Sequence, residues 1–160
     1  MQRGGPRFWG NFTNKIDAKG RLATPAAFRA KIDLDAENVL YCIPSTEDPC
    51  IECGDGIFVE GLLAMIDQLE PYSQERESLE LSIATQMQPL KVDGEGRVVL
   101  TGDLIEHANL SNEALFAGRL RSFQIWHPDT FAHKLSAAKK IASKAKLSLS
   151  NPRTLEGEPS

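Results

Sequence analysis

The chain holds 160 residues, 18 of them basic and 22 acidic, for a net charge of −4. A chain of that length buries about 70% of its unfolded surface, as one compact domain or as two small intertwined ones. With no charged-then-apolar leader and no run of eighteen apolar residues, neither a signal peptide nor a membrane span is expected, and the expected location is the cytoplasm.

Residues 1–7 combine two glycines, a proline and two arginines and read as a flexible terminus. Apolar side chains at Phe8, Phe12 and Ile16 then predict a half-buried strand. It leads into Asp17-Ala18-Lys19-Gly20-Arg21, after which Leu22 to Thr24 is again strand-like, so a hairpin is expected around a tight turn. Thr24 as N-cap and Pro25 at the first helical position predict a short helix carrying Phe28 and Ile32. Val39 to Ile43 and Cys50 to Cys53 read as two more strands.

Phe58, Leu62, Met65, Ile66 and Leu69 recur at amphipathic-helix spacing up to Pro71. Ser73 then caps a second helix, with Leu79, Ile83 and Met87 inward and Glu75, Glu77 and Glu80 outward. Beyond this acidic pair the pentapeptide returns, seventy-six positions after its first copy, as Asp93-Gly94-Glu95-Gly96-Arg97. A strand-like Val98 to Leu100 follows, and Thr101 opens a helix with Leu104, Ile105 and Ala108. At the same offset Phe28 falls on Leu104 and Ile32 on Ala108. Strands over Ala114 to Ala117 and Ser122 to Trp126 close this half as the first half closed. Self-similarity of that extent means one duplicated unit.

Pro128 starts a last helix with Phe131, Leu135 and Ala138 on one face and Lys139, Lys140, Lys144 and Lys146 in its second half, where cations suit the helix dipole. The expected plan is a first repeat over residues 8–57, a connecting helical pair over 58–86, a second repeat over 87–127, a C-terminal helix over 128–147 and a disordered tail over 148–160.

Charge is unevenly spread along this plan. Residues 1–32 hold seven basic side chains against Asp17 alone, whereas residues 33–88 hold thirteen acidic ones against Arg76 alone. Phosphate attraction acts over about 8 to 10 Å, so a local basic face matters more than the total charge. The first pentapeptide lies in the basic block and the second in near-neutral surroundings, which makes Arg21 the expected stronger contact.

No constellation for catalysis is present: no His-Glu-x-x-His pair, no glycine-flanked nucleophilic serine and no phosphate loop, so neither enzyme activity nor a small-molecule substrate, metal or cofactor is expected. Cys50-Ile51-Glu52-Cys53 has the spacing of a metal or redox pair but lacks a second ligand pair, and with Cys42 these thiols read as buried strand residues.

The two Asp-x-x-Gly-Arg turns allow a role at every position. Glycine supplies positive φ, aspartate accepts backbone N–H bonds, and arginine is held at the base of the turn, where its fork can meet the O6 and N7 of guanine or a phosphate. Lys19 adds a phosphate contact in the first copy. The alternative is an oligomeric scaffold or protein-interaction module whose hairpins serve structure alone.

Asn14-Lys15-Ile16-Asp17-Ala18-Lys19-Gly20-Arg21, Pro25-Ala26-Ala27-Phe28-Arg29, Val92-Asp93-Gly94-Glu95-Gly96-Arg97 and Gly118 with Phe123-Gln124-Ile125-Trp126 together resemble the bacterial MraZ family, from about Phe12 to Phe131. The resemblance implies an α+β fold in which tandem swapped-hairpin β-barrel units of the AbrB type carry peripheral helices. It implies a ring-shaped, octamer-like homo-oligomer on the nucleoid. It also implies a transcriptional regulator, as a repressor of its own cell-division and cell-wall gene cluster, binding G-rich direct repeats in double-stranded promoter DNA. Asp17, Lys19, Gly20 and Arg21, then Asp93, Gly96 and Arg97, occupy the DNA-contacting motif of that family. The chain departs from the pattern where Glu95 replaces the lysine of the first copy, where Leu100-Thr101-Gly102 lacks the helix-opening proline, and in the longer N-terminal stretch over residues 1–9.

Overall fold

In the computed structural model, which describes residues 5–35 and 37–149, each pentapeptide joins two strands that find their main partners elsewhere. β1 (Asn11–Lys15) enters the first turn and β2 (Arg21–Ala23) leaves it, while β5 (Gln88–Lys91) and β6 (Arg97–Val99) flank the second. The local pattern predicts a hairpin at each turn, its two strands side by side. Instead β1 pairs with β7 (Glu113–Gly118), β5 with β3 (Val39–Pro44) and β2 with β6, all antiparallel. Across the first turn only the Ile16 to Leu22 bridge remains of the expected pairing. The physical reason is burial: a two-strand hairpin cannot cover an apolar face by itself, and pairing β2 with β6 puts Leu22 and Val98 together in the core at 0% and 1% exposure.

β4 (Cys50–Gly54) and β8 (Phe123–Trp126) complete a six-stranded sheet of order β1-β7-β8-β4-β3-β5. Its edge strands are the two that lead into the pentapeptides, so the β2–β6 ribbon connects one edge to the other. The halves are thus interleaved strand by strand. Val39 to Ile43, Cys50 to Cys53, Ala114 to Ala117 and Phe123 to Trp126 are strands, as their β-branched and aromatic content predicts.

Two short helices fill the same place in each repeat. α1 (Ala26–Arg29) and α4 (Gly102–His107) start at equivalent positions of the seventy-six-residue offset, and each buries one side chain, Phe28 or Leu104. Phe28 packs edge-on to Phe8, Phe12 and Phe116 with ring centroids 5.4, 5.4 and 6.4 Å apart, and lies 5.1 Å from Phe123. Thr101 caps α4, its hydroxyl accepting the Leu104 N–H at 3.4 Å. The capping expected of Thr24 does not occur. The helix starts one residue late, with Pro25 at the N-cap, extended ψ and no side-chain bond, so Thr24 stands one position short of the cap, in the ribbon, where its N–H donates to the Gly96 carbonyl at 3.0 Å.

α2 (Gly56–Ile66) and α3 (Gln74–Gln86) follow the acidic stretch. Ser73 caps α3 through the Arg76 N–H at 3.1 Å, as its sequence position predicts. In α2 the inward arc runs through Phe58, Leu62 and Ile66 and on to Leu69 beyond the helix, whereas Met65 is 59% exposed. Met65 lies about 100° around the helix from Ile66, outside the arc that rests on β4 and α3.

Residues 5–7 are not the loose end that their composition predicts. Arg7 reaches Asp55, a fully buried carboxylate, through Nη1 at 2.6 Å and Nη2 at 3.2 Å. Asp55 also accepts the Asp33 N–H at 2.8 Å and caps α2 through Ile57 and Phe58. Phe8 is 0% exposed and pairs with Leu120, so the terminal segment is stitched to the sheet.

The chain divides into two units, Met1–Pro128 and Asp129–Ser160. The second contains most of α5 (Pro128–Ser148), on which Lys139, Lys140, Lys144 and Lys146 are exposed. The predicted disordered tail lies, from residue 150, outside the described residues.

Candidate functional site

The two turns share the same set of backbone and aspartate bonds. In the first, the Asp17 carbonyl accepts the Gly20 N–H at 3.0 Å, Asp17 Oδ1 accepts the Lys19 and Arg21 N–H groups at 2.9 Å each, and Arg21 Nε donates to Asp17 Oδ2 at 2.5 Å. In the second, the Asp93 carbonyl accepts Gly96 N–H at 3.0 Å, Asp93 Oδ1 accepts the Glu95 and Arg97 N–H groups at 2.9 Å each, and Arg97 Nε donates to Oδ2 at 2.9 Å. Gly20 and Gly96 have φ of +80° and +78°, the left-handed region where a side chain is strained. Every position of the motif therefore has the local task its residue type suggests.

These bonds set the electrostatics. The Arg21 backbone N–H, then its side chain, hold the Asp17 carboxyl below its ordinary value. The Arg97 backbone N–H does the same for Asp93, against a smaller opposing effect of desolvation. The Asp93 hydrogen bond raises Arg97 in turn. Both arginines are cations with their planes fixed through Nε, the geometry that leaves the outer amino groups of the fork for a second acceptor.

The ribbon decides where they point. Arg21 is registered opposite Val99 and Arg97 opposite Ala23. Residues directly opposite share a face and alternate residues oppose it, so Arg21, Ala23, Arg97 and Val99 share the outer face while Leu22 and Val98 are buried beneath. The two arginines are diagonal neighbours, about 7 to 8 Å apart at the backbone. Lys19 is exposed at the tip of the first turn and Glu95 at the tip of the second, where Glu95 also meets Arg97 Nη2 at 3.6 Å. All seven residues that the motif singles out are thereby gathered around one ribbon.

Sequence reasoning did not find Arg29. It ends α1 yet grips the turn of the other half, donating to the Glu95 and Gly94 carbonyls at 2.8 and 2.7 Å. The visible signal was a break in the repeat, since Ile105 occupies the equivalent position. Among the described residues no group of histidines, cysteines and carboxylates is arranged to hold a metal ion, and no helix is long and apolar enough to cross a membrane. The three thiols are buried. Burial pushes Cys50 up to about 12 and Cys53 well above the ordinary thiol value.

Comparison with known proteins places this arrangement in a family. The family model described as "MraZ protein, putative antitoxin-like" matches residues 83–151. A Transcriptional regulator MraZ from Rickettsia bellii is 39% identical over 138 residues, covering 86% of this chain and 92% of the relative. Its namesake from Rickettsia africae is 38% identical over 144 residues, 90% and 97% of the two chains. The one from Beijerinckia indica is 36% identical over 154 residues, 96% and 94%. With identity at this level over nearly the whole length of both chains, the chain belongs to the MraZ family.

Proposed function

We propose that this protein is a sequence-specific DNA-binding transcriptional regulator that reads double-stranded promoter DNA with the β2–β6 ribbon. One observation carries the reading: Arg21 and Arg97 share the exposed face of a two-stranded ribbon, each fork held by an aspartate four residues earlier. A two-stranded ribbon fits the major groove, about 12 Å wide, and a planar fork matches the O6 and N7 of guanine. G-rich direct repeats are the sites such a pair would select. Asp17 and Asp93 orient the forks, Gly20 and Gly96 shape the turns, and Lys19 contacts phosphate. The relatives' name, transcriptional regulator, supports the same class of activity.

The finer architecture follows the same reading. β1 and β5 each pair with a strand of the opposite repeat, the exchange that a swapped-hairpin barrel of the AbrB type makes. The repeats over 8–57 and 87–127, the helical pair over 58–86 and the helix over 128–147 are its parts. A ring-shaped, octamer-like homo-oligomer would present many ribbons to repeated sites and multiply a modest affinity. Leu63, Met65 and Leu81, exposed on the acidic helices, are the apolar side chains such assembly would cover. Repression of the chain's own cell-division and cell-wall cluster, from a location on the nucleoid, completes the proposal.

The test is binding of the full chain to the duplex upstream of its own gene and to a scrambled duplex of the same composition, across a salt series. Affinity should fall steeply with salt, and Arg21→Ala should lose about 1 to 3 kcal/mol of preference for the native duplex. Equal binding of both duplexes by the wild type, or unchanged preference in Arg21→Ala and Arg97→Ala, would favour the scaffold alternative instead.

A further inference from the structure

The two turns have the same aspartate and backbone bonds and different supports. Arg29 lies flat on the second: a Cβ placed on Gly96 would stand 2.7 Å from its Cδ, 2.7 Å from its Nε and 2.9 Å from its Cζ. From that position the guanidinium donates to two successive tip carbonyls, Nη2 to Gly94 at 2.7 Å and Nη1 to Glu95 at 2.8 Å. The flat approach is possible only over a glycine. At the first turn the equivalent neighbour is Ile105, whose Cδ1 is 3.9 Å from a Cβ built on Gly20. An aliphatic side chain fills space there but cannot donate to the carbonyls of Ala18 and Lys19. One turn is clamped by a cation from the other repeat and the other rests on an apolar side chain.

We propose that Arg29 is a positioning residue that fixes the second turn, and through it the aim of Arg97, so that the two arginines of one subunit have unequal parts in DNA recognition. This rests on the DNA-binding reading of the ribbon and extends it. The chain of contacts is continuous: Arg29 holds Gly94 and Glu95, the Asp93 carboxylate bonds the Glu95 and Arg97 N–H groups, and its second oxygen bonds Arg97 Nε. A fork whose base is fixed in advance loses little conformational freedom when it meets a base edge and rejects a wrong base most sharply. Arg97 is therefore the sharper of the two discriminating contacts. Arg21, on a turn without the clamp and beside exposed Lys19, gives affinity that depends less on sequence.

The experiment is a double-mutant cycle read as discrimination between the native upstream duplex and its scrambled counterpart, with salt dependence and melting temperature recorded for every variant. Arg29→Ala should lower discrimination about tenfold with the slope against salt unchanged, since the residue neutralises no phosphate in this scheme. Arg29→Lys, which replaces the planar fork lying over Gly96 with a single, freely rotating ammonium, should lose part of the discrimination while keeping the charge and the fold. Arg29→Ala combined with Arg97→Ala should discriminate no worse than Arg97→Ala alone, whereas combined with Arg21→Ala the losses should multiply. Losses that multiply in the Arg97 pair, or variants of Arg29 that melt earlier yet discriminate normally, overturn the positioning role and leave DNA binding standing. A wild type without preference for the native duplex overturns both.

Discussion

The Gly96 carbonyl accepts the Thr24 N–H at 3.0 Å, and the Gly20 carbonyl accepts the Leu100 N–H at 2.9 Å. Each turn glycine thus continues the ribbon of the opposite repeat, and the two turns are held by each other's strands. Because both glycines sit at positive φ, alanine at either should cost about 1 to 2 kcal/mol. At Gly96 the added methyl also displaces the Arg29 guanidinium, and at Gly20 it crowds the Leu100 carbonyl at 3.0 Å. Thermal melts of Gly20→Ala and Gly96→Ala should fall by about 2 to 4 °C for each kcal/mol lost. Wild-type melting in both would show that the turns relax into another conformation.

Arg7 and Asp55 give a larger effect at the start of α2. Burial alone would raise the Asp55 carboxyl, but the Arg7 bond, the Asp33 N–H and the helix-capping bonds outweigh it and hold the group below its ordinary value of 3.8. A carboxyl depressed in the folded state contributes stability above 3.8, lost as pH falls through the folded value. Removing the cation by Arg7→Ala leaves a buried carboxylate without its ion-pair partner and should cost about 3 to 5 kcal/mol at neutral pH. In that variant burial prevails and the Asp55 value rises, so protonation relieves the strain. The gap between wild type and variant in denaturant melts should therefore narrow as the solution is acidified. A gap independent of pH would mean that Arg7 acts through its packing on the Phe8 ring, 4.9 Å away.

Asp17 and Asp93 lose the same kind of bonds in acid, but on the surface. Both carboxyls are held below 3.8, first by the N–H of the arginine four residues on, so the turns should stay closed through mild acid and open only as pH falls through the depressed values. Carboxyl titrations followed by NMR should give midpoints below 3.8 for both, and amide exchange at Lys19, Arg21, Glu95 and Arg97 should rise over the same window. Midpoints at the ordinary value would mean that the aspartates are not bonded to these amides in solution.

How much of this was legible in the sequence depends on the range of the interaction. The turns were, because Asp, Gly and Arg perform tasks confined to five residues, and those tasks recur at both copies. The short helices and the strands of the sheet were, since Phe28 and Leu104 or Cys50 to Cys53 carry local periodicity. The pairing was not: β2 and β6 are three residues each, and nothing within a three-residue strand encodes which neighbour it takes. Thr24 was misread because the helix begins one residue later, with Pro25 at the cap, while Thr24 extends the ribbon and bonds Gly96 of the other repeat. Charge counted along the chain misled at the second turn, where Arg29 arrives from the basic first block. Arg7 was lost in a glycine-rich segment because its partner is forty-eight residues away.

The cysteines test the reading of the core. Cys42 and Cys53 are register partners on β3 and β4, and Cys42, Cys50 and Cys53 are all 0% exposed. With burial raising Cys50 to about 12, that residue has almost no thiolate at neutral pH, and all three thiols are shut off from reagents by burial. A thiol reagent such as dithionitrobenzoate should find no reactive group in the native protein within minutes and three after unfolding, the number of cysteines in the chain. Rapid reaction of one thiol in the native state would show that β4 opens locally, and would return the Cys50 and Cys53 spacing to consideration as a reactive pair.

Glu95 is the position at which the two turns differ most in charge, and its replacement reports whether the second turn lies against DNA. It stands where the first turn has Lys19, is exposed, and lies 3.6 Å from Arg97 Nη2, so it draws the fork away from an anionic partner and repels phosphate itself. Glu95→Lys changes the local charge by two units and restores the pattern of the first turn. If the ribbon lies against DNA, the variant should bind both the native and the scrambled duplex more tightly, with the slope of log affinity against log salt steeper by about one unit for one added phosphate contact. Because a phosphate contact carries no sequence information, the ratio between the two duplexes should hold or fall while both affinities rise. The Glu95 carbonyl that Arg29 grips is backbone and survives the substitution, so the turn keeps its shape and the change reads charge alone. Unchanged affinity and slope would place the second turn away from the DNA and confine the contact to Lys19 and Arg21.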